Sequence, residues 1–77
     1  MNEEELIQKL LDFEMDDYLL GVNRLNIGNK AHIYRGSFNE VGEGMCKKAP
    51  SLFARNDVGT GLCKMCIRFT LKEINNN

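Results

Sequence analysis

The chain has no tryptophan, a single proline and a single histidine, and its three cysteines are an odd number. Each shortage removes a class of protein. One proline beside seven glycines excludes collagen-like and proline-rich disordered chains. A lone histidine leaves general acid–base chemistry thinly supplied, and no Ser/His/Asp order, Walker loop or GxGxxG turn is present, so no enzyme is expected. The odd cysteine count argues against a disulfide framework, as does the start Met1-Asn2-Glu3-Glu4-Glu5, the opposite of a basic signal-peptide head. Long apolar runs are missing too. The longest nearly apolar stretch is Tyr18 to Val22, far short of the roughly 18–20 residues that cross a bilayer. These absences point to a cytoplasmic chain with no membrane partner.

What is present is one small globular domain spanning residues 1–77, with 43% hydrophobic and 27% charged residues. A chain of this length buries only roughly 60–65% of the surface exposed on unfolding, so its core is marginal. The net charge of -1 conceals two unlike segments. Residues 1–23 carry seven acids against Lys9, a net of -6, whereas residues 24–77 carry nine bases against Glu40, Glu43, Asp57 and Glu73, a net of +5. Such asymmetry suits different partners for the two segments, or attraction between them.

Asn2 followed by Glu5 reads as an Asx version of a capping box, with acids at the positive end of the helix dipole. A helix is therefore expected from about Glu3. Leu6, Ile7, Leu10, Leu11, Phe13 and Leu20 recur at helical steps, with Gly21 as a stop, although Met15-Asp16-Asp17 interrupts the stripe and could end the helix near Glu14. Gly28-Asn29 between Val22–Ile27 and Ala31–Phe38 signals a hairpin. Asn39–Gly44 reads as a loop, Lys47–Val58 as a short strand or irregular hairpin, and Cys66–Ile74 as a second helix before a fraying tail of three asparagines. The expected fold is α+β: an N-terminal helix on a small antiparallel β-hairpin, then a zinc-clamped loop and a C-terminal helix.

The sharpest chemical signal is Gly61-Leu62-Cys63-Lys64-Met65-Cys66, because two thiolates at Cys-x-x-Cys spacing can grip one ion. Sixteen residues intervene between Cys46 and Cys63, and thirteen between His32 and Cys46. Together they give a Cys3His donor set for one structural zinc ion, with Glu43 and Asp57 as other candidates for the fourth ligand. A chain this short also needs a staple, which a structural metal supplies. A redox couple between Cys63 and Cys66 fits less well, since that chemistry usually sits in a larger βαβ fold.

Lys47, Lys48, Arg55, Lys64 and Arg68 surround the cysteine segment and suit contact with nucleic acid or a nucleoprotein machine, with Tyr34, Phe38 and Phe53 able to stack on bases if exposed. The expected function is that of a small non-enzymatic zinc-binding regulatory protein. The competing class is a protein-binding inhibitor or modulator acting through its acidic apolar helix, with Leu10, Phe13, Asp16 and Asp17 facing a host protein. Its composition has the style of phage or mobile-element accessory proteins. An exposed apolar stripe on that helix would also favour a homodimer.

Overall fold

A computed structural model describes residues 1–23, 30–36, 40–56, 58 and 61–76. In chain order the elements are helix α1 (Glu3–Leu11), strands β1 (Tyr18–Asn23), β2 (His32–Arg35) and β3 (Leu52–Ala54), and helix α2 (Lys64–Asn75). The architecture is α+β, with a helix at each end of a three-stranded antiparallel sheet ordered β2-β1-β3.

Helix α1 starts where its cap dictates. Asn2 Oδ1 accepts the Glu5 backbone N–H at 2.8 Å, and Glu3, Glu4 and Glu5 fill the first turn. Leu6 and Leu10, one turn apart, are buried beneath it. It ends at Leu11, well before Gly21. Phe13 takes the left-handed conformation at φ 56, while its N–H donates to Leu10 O and the Glu14 N–H reaches back to Lys9 O at 2.8 Å. That pattern is a Schellman stop built on a phenylalanine where glycine is usual.

The expected continuation of α1 through Leu20 is corrected to a strand. Tyr18, Leu19, Leu20 and Gly21 are all buried in β1, the central strand, because β2 and β3 flank it and helices cover the sheet. Gly21 does not stop a helix. It pairs with His32 on one side and Ala54 on the other, and a Cβ there would lie 2.7 Å from Tyr34 Cε1 and 2.8 Å from the Phe53 carbonyl oxygen. Gly42 gives the same ring its second close face, with Tyr34 Cδ2 in the space a Cβ would occupy.

The hairpin is present, in the register Tyr18↔Arg35 to Gly21↔His32, and its first strand begins earlier than Val22. The expected turn at Gly28-Asn29 lies outside the described residues, as do Phe38 and Asp57. Helix α2 begins two residues before Cys66 and includes Asn75, whose Nδ2 donates to Met1 O at 3.1 Å, so Asn75 belongs to the helix rather than to a loose tail. One apolar cluster joins Leu6 and Leu10 of α1, Leu19, Leu20 and Ile33 of the sheet, and Ile67 of α2. All three cysteines belong to it.

Candidate metal centre

Three chain segments meet at the start of β2. Ala31, just before His32, forms a parallel bridge with Leu62, its N–H donating to Gly61 O at 2.9 Å while its carbonyl accepts the Cys63 N–H at 2.8 Å. Those bonds fix Cys63 beside His32. Downstream, the Met45 N–H donates to Ile33 O at 2.7 Å, and Gly44 bridges Tyr34. The chain then folds back on itself, with Lys47 N–H donating to Gly44 O, Gly44 N–H donating to Ala49 O, and Lys47 left-handed at φ 62. The tight turn carries Cys46 to the same place.

Cys63 is the N-cap residue of α2 and Cys66 lies in its first turn. The N-cap and the third helical position bring their side chains together, which is why Cys-x-x-Cys at a helix start presents both sulfurs to one point. His32 Nδ1 lies 3.6 Å from Cys66 Sγ and 3.7 Å from Cys46 Sγ, and the donor atoms of His32, Cys46, Cys63 and Cys66 all fall within 4.8 Å of one another. With metal–sulfur bonds of about 2.3 Å and a metal–nitrogen bond of about 2.0–2.1 Å, a tetrahedral site has a sulfur–nitrogen edge of about 3.6 Å. The residues could therefore hold a metal ion. All three cysteines are free thiols, and none of the four residues is more than 9% exposed.

Local electrostatics prepare the site unevenly. Burial pushes the Cys66 thiol up to about 12, against the pull of the Ile33 and Cys46 backbone groups. Burial also raises Cys63, but hydrogen bonds from the Cys66 backbone and thiol, the Met65 backbone and the Cys46 thiol outweigh it and bring Cys63 below its ordinary value. Cys63 makes no capping hydrogen bond of ordinary geometry, yet these first-turn amides lie close enough to favour its thiolate. Burial and nearby Lys30 lower His32, which keeps the imidazole neutral and its lone pair available.

Among the other candidate ligands, Glu43 is exposed and outside the group, and Asp57 lies outside the described residues. Lys47 and Lys48 sit exposed on the Cys46 turn, Lys64 and Arg68 are exposed on α2, and Arg55 is exposed just beyond β3. Tyr34 is wholly buried between Gly21 and Gly42 and has no face for a base. Leu10 is likewise covered by the protein's own core, so it is removed from the set that could meet a partner. Phe13, Asp16 and Asp17 are exposed, on the turn after α1 rather than on the helix.

Phe69 and Met65, exposed on α2, were not singled out by sequence. Their signal was helical phase: with Cys66 and Thr70 fixed inward, Met65 and Phe69 must face outward.

Fold and site together define a small α+β chain built around a Cys3His cluster able to hold a metal ion. No protein family, curated protein or solved structure matches the chain.

Proposed function

We propose that this chain is a small, non-enzymatic regulatory protein that holds one structural zinc ion on His32, Cys46, Cys63 and Cys66 and contacts nucleic acid or a nucleoprotein machine in the cytoplasm. The observation that carries the proposal is the convergence of four donors within 4.8 Å of one another, with His32 Nδ1 3.6 and 3.7 Å from the Cys66 and Cys46 sulfurs. Three thiols and an imidazole form a soft set that selects zinc over oxygen-seeking magnesium or calcium. Four protein ligands also close the coordination sphere, leaving no position for a reacting water, which favours a structural role over catalysis.

The nucleic-acid partner is supported by exposed bases next to the ligands. Lys47 and Lys48 follow Cys46, and Lys64 and Arg68 share the first turns of α2 with Cys63 and Cys66. Zinc would hold both basic segments in one arrangement.

Metal content tests the first half. Untagged protein purified under reducing conditions without added zinc should carry one zinc per chain and lose it in Cys63→Ser; well-folded protein without metal would overturn it. Mobility shifts of DNA and RNA test the second half, with binding expected to disappear in the Lys47→Ala/Lys48→Ala double variant.

Exposure of Phe13 beside Asp16 and Asp17 supports an alternative, a modulator, in the style of phage or mobile-element proteins, that docks this acidic turn on a host protein. A stoichiometric protein partner lost on Phe13→Asp, with no nucleic-acid shift, would favour it.

A further inference from the structure

Helix α2 has two unlike faces. At about 100° per residue, Lys64, Met65, Arg68, Phe69 and Lys72 fall within an arc of about 140°, and all five are exposed. The opposite side holds the buried Cys66, Ile67 and Thr70. Phe69 is 44% exposed and stands at one edge of the outer face, with Lys72 near its middle.

Two recesses flank that ring. One, of about 450 Å³, lies between α2 and the Cys46 turn and is lined by Met45, Lys47, Phe69 and Lys72 among others. The other, of about 330 Å³, is lined by Met65, Arg68, Phe69 and Lys72. Phe69 and Lys72 line both recesses, so the two adjoin at the aromatic ring and together make one grooved face. The charges around the groove are nearly all of one sign. Lys47, Arg68 and Lys72 are not ion-paired to described residues, and Lys64 continues the row of bases beyond the two recesses, at a further one that it lines with Arg68 and the acid Glu3. Glu73, the one acid among the described residues lining the first two recesses, is engaged by Arg35 and by the Tyr18 hydroxyl at 2.7 Å.

We infer that this groove binds single-stranded nucleic acid, with an unpaired base stacked on Phe69 and phosphates along Lys64, Arg68, Lys72 and Lys47. The inference rests on the nucleic-acid reading above and adds the strand form, the face and the stacking residue. Lys64, Arg68 and Lys72 stand at four-residue steps, about 6 Å apart along the axis at 1.5 Å per residue, comparable to the separation of successive phosphates in an extended strand. A duplex keeps its bases stacked and offers nothing to the exposed ring, whereas a single strand presents free base faces. The metal centre contributes by holding the Cys46 turn, and with it Lys47, against α2.

The test uses zinc-loaded protein and fluorescence anisotropy, with a labelled oligothymidylate of about 16 nucleotides and a duplex of equal length. The single strand should bind at least tenfold more tightly. Phe69→Ala should weaken that binding about 5- to 100-fold, the range that loss of one base–aromatic stack produces, and leave duplex binding unchanged. Four phosphate contacts should give about a 50-fold loss of affinity between 50 and 200 mM salt, with the slope reduced in Lys72→Ala.

Because the chain has no tryptophan, Phe69→Trp supplies a single reporter whose fluorescence should be quenched on strand binding. Circular dichroism confirms that each variant folds. Equal affinity for both forms, with no effect of Phe69→Ala and no quenching, would overturn the inference while leaving nucleic-acid contact standing. Absence of binding to either form at low salt would overturn both. If self-association is then lost in Phe69→Ala, the groove belongs to a second copy of the chain.

Discussion

Cys66 and Thr70 lie one turn apart on the buried face of α2, and burial treats their polar atoms alike while chemistry does not. Among the described residues the Thr70 hydroxyl has no hydrogen-bond partner, nor has that of Tyr34. An unsatisfied buried hydroxyl costs about 1–3 kcal/mol, so removing it without changing shape should be favourable. Thr70→Val and Tyr34→Phe are each expected to raise stability by about 1 kcal/mol in urea unfolding, and a loss in either would mean that its hydroxyl is in fact bonded. Cys66 has a remedy those hydroxyls lack. Its thiol, pushed up to about 12, keeps its proton at neutral pH, and a bound cation would replace that proton with a strong bond. Zinc uptake near neutral pH should therefore release protons, and apparent affinity should rise with pH as proton competition for the sulfurs falls. His32, already lowered below 6.5 by burial, should not be the first ligand lost on acidification. Calorimetry in buffers of different ionisation enthalpy measures the release; zinc binding without proton release would count against thiolate ligation.

Strand β1 shows how much one residue decides for an element. Gly21 lies where the Tyr34 ring and the Phe53 carbonyl approach too closely for any Cβ, and only the ring could move aside. Gly21→Ala should destabilise the chain by about 1–3 kcal/mol through overpacking, read as a lowered thermal midpoint; an unchanged midpoint would show that the Tyr34 ring yields freely. The same glycine explains what could not be seen in sequence. Glycine after an apolar stripe resembles a helix stop, but its role depends on a tyrosine thirteen residues away, and the stop that ends α1 uses Phe13, a residue type with no stop signature. Likewise, nothing local to Leu52–Ala54 says that it pairs with β1 rather than β2. The start of α1 was legible because a cap acts within three residues. The metal donors were legible for a different reason: thiols and imidazole are the few side chains here with that chemistry, so gathering them required no knowledge of the path between. Phe69 was legible only through the phase of the expected Cys66–Ile74 helix, which turns it outward once Cys66 and Thr70 face the core.

At the scale of the whole molecule, core and site are one structure. Cys46, Cys63 and Cys66 pack in the same cluster as Leu6, Leu20 and Ile33, so the proposed ion would join the Cys46 turn, the start of β2 and the start of α2 through the middle of the core. A 77-residue chain has a total stability of roughly 4–12 kcal/mol at 0.05–0.15 kcal/mol per residue. Structural zinc on Cys/His ligands binds with an apparent free energy of about 10–16 kcal/mol at neutral pH, which equals or exceeds that total. Apolar burial alone is a poor substitute in a domain this small. Removing zinc with a strong chelator under reducing conditions should therefore abolish the cooperative thermal transition and the near-ultraviolet circular dichroism of the tyrosines, and adding zinc should restore both. Magnesium should restore neither, because an oxygen-seeking ion gains little from three thiolates. Helix α1, whose cap and first-turn acids are local, should retain more of its far-ultraviolet signal than the sheet, whose β2 edge meets Cys63 and the Cys46 turn through bonds from Ala31, Ile33 and Tyr34. If the chelated chain instead melts cooperatively at an unchanged temperature, the four donors are ordinary core residues, and the basic groove on α2 is held in place by packing alone.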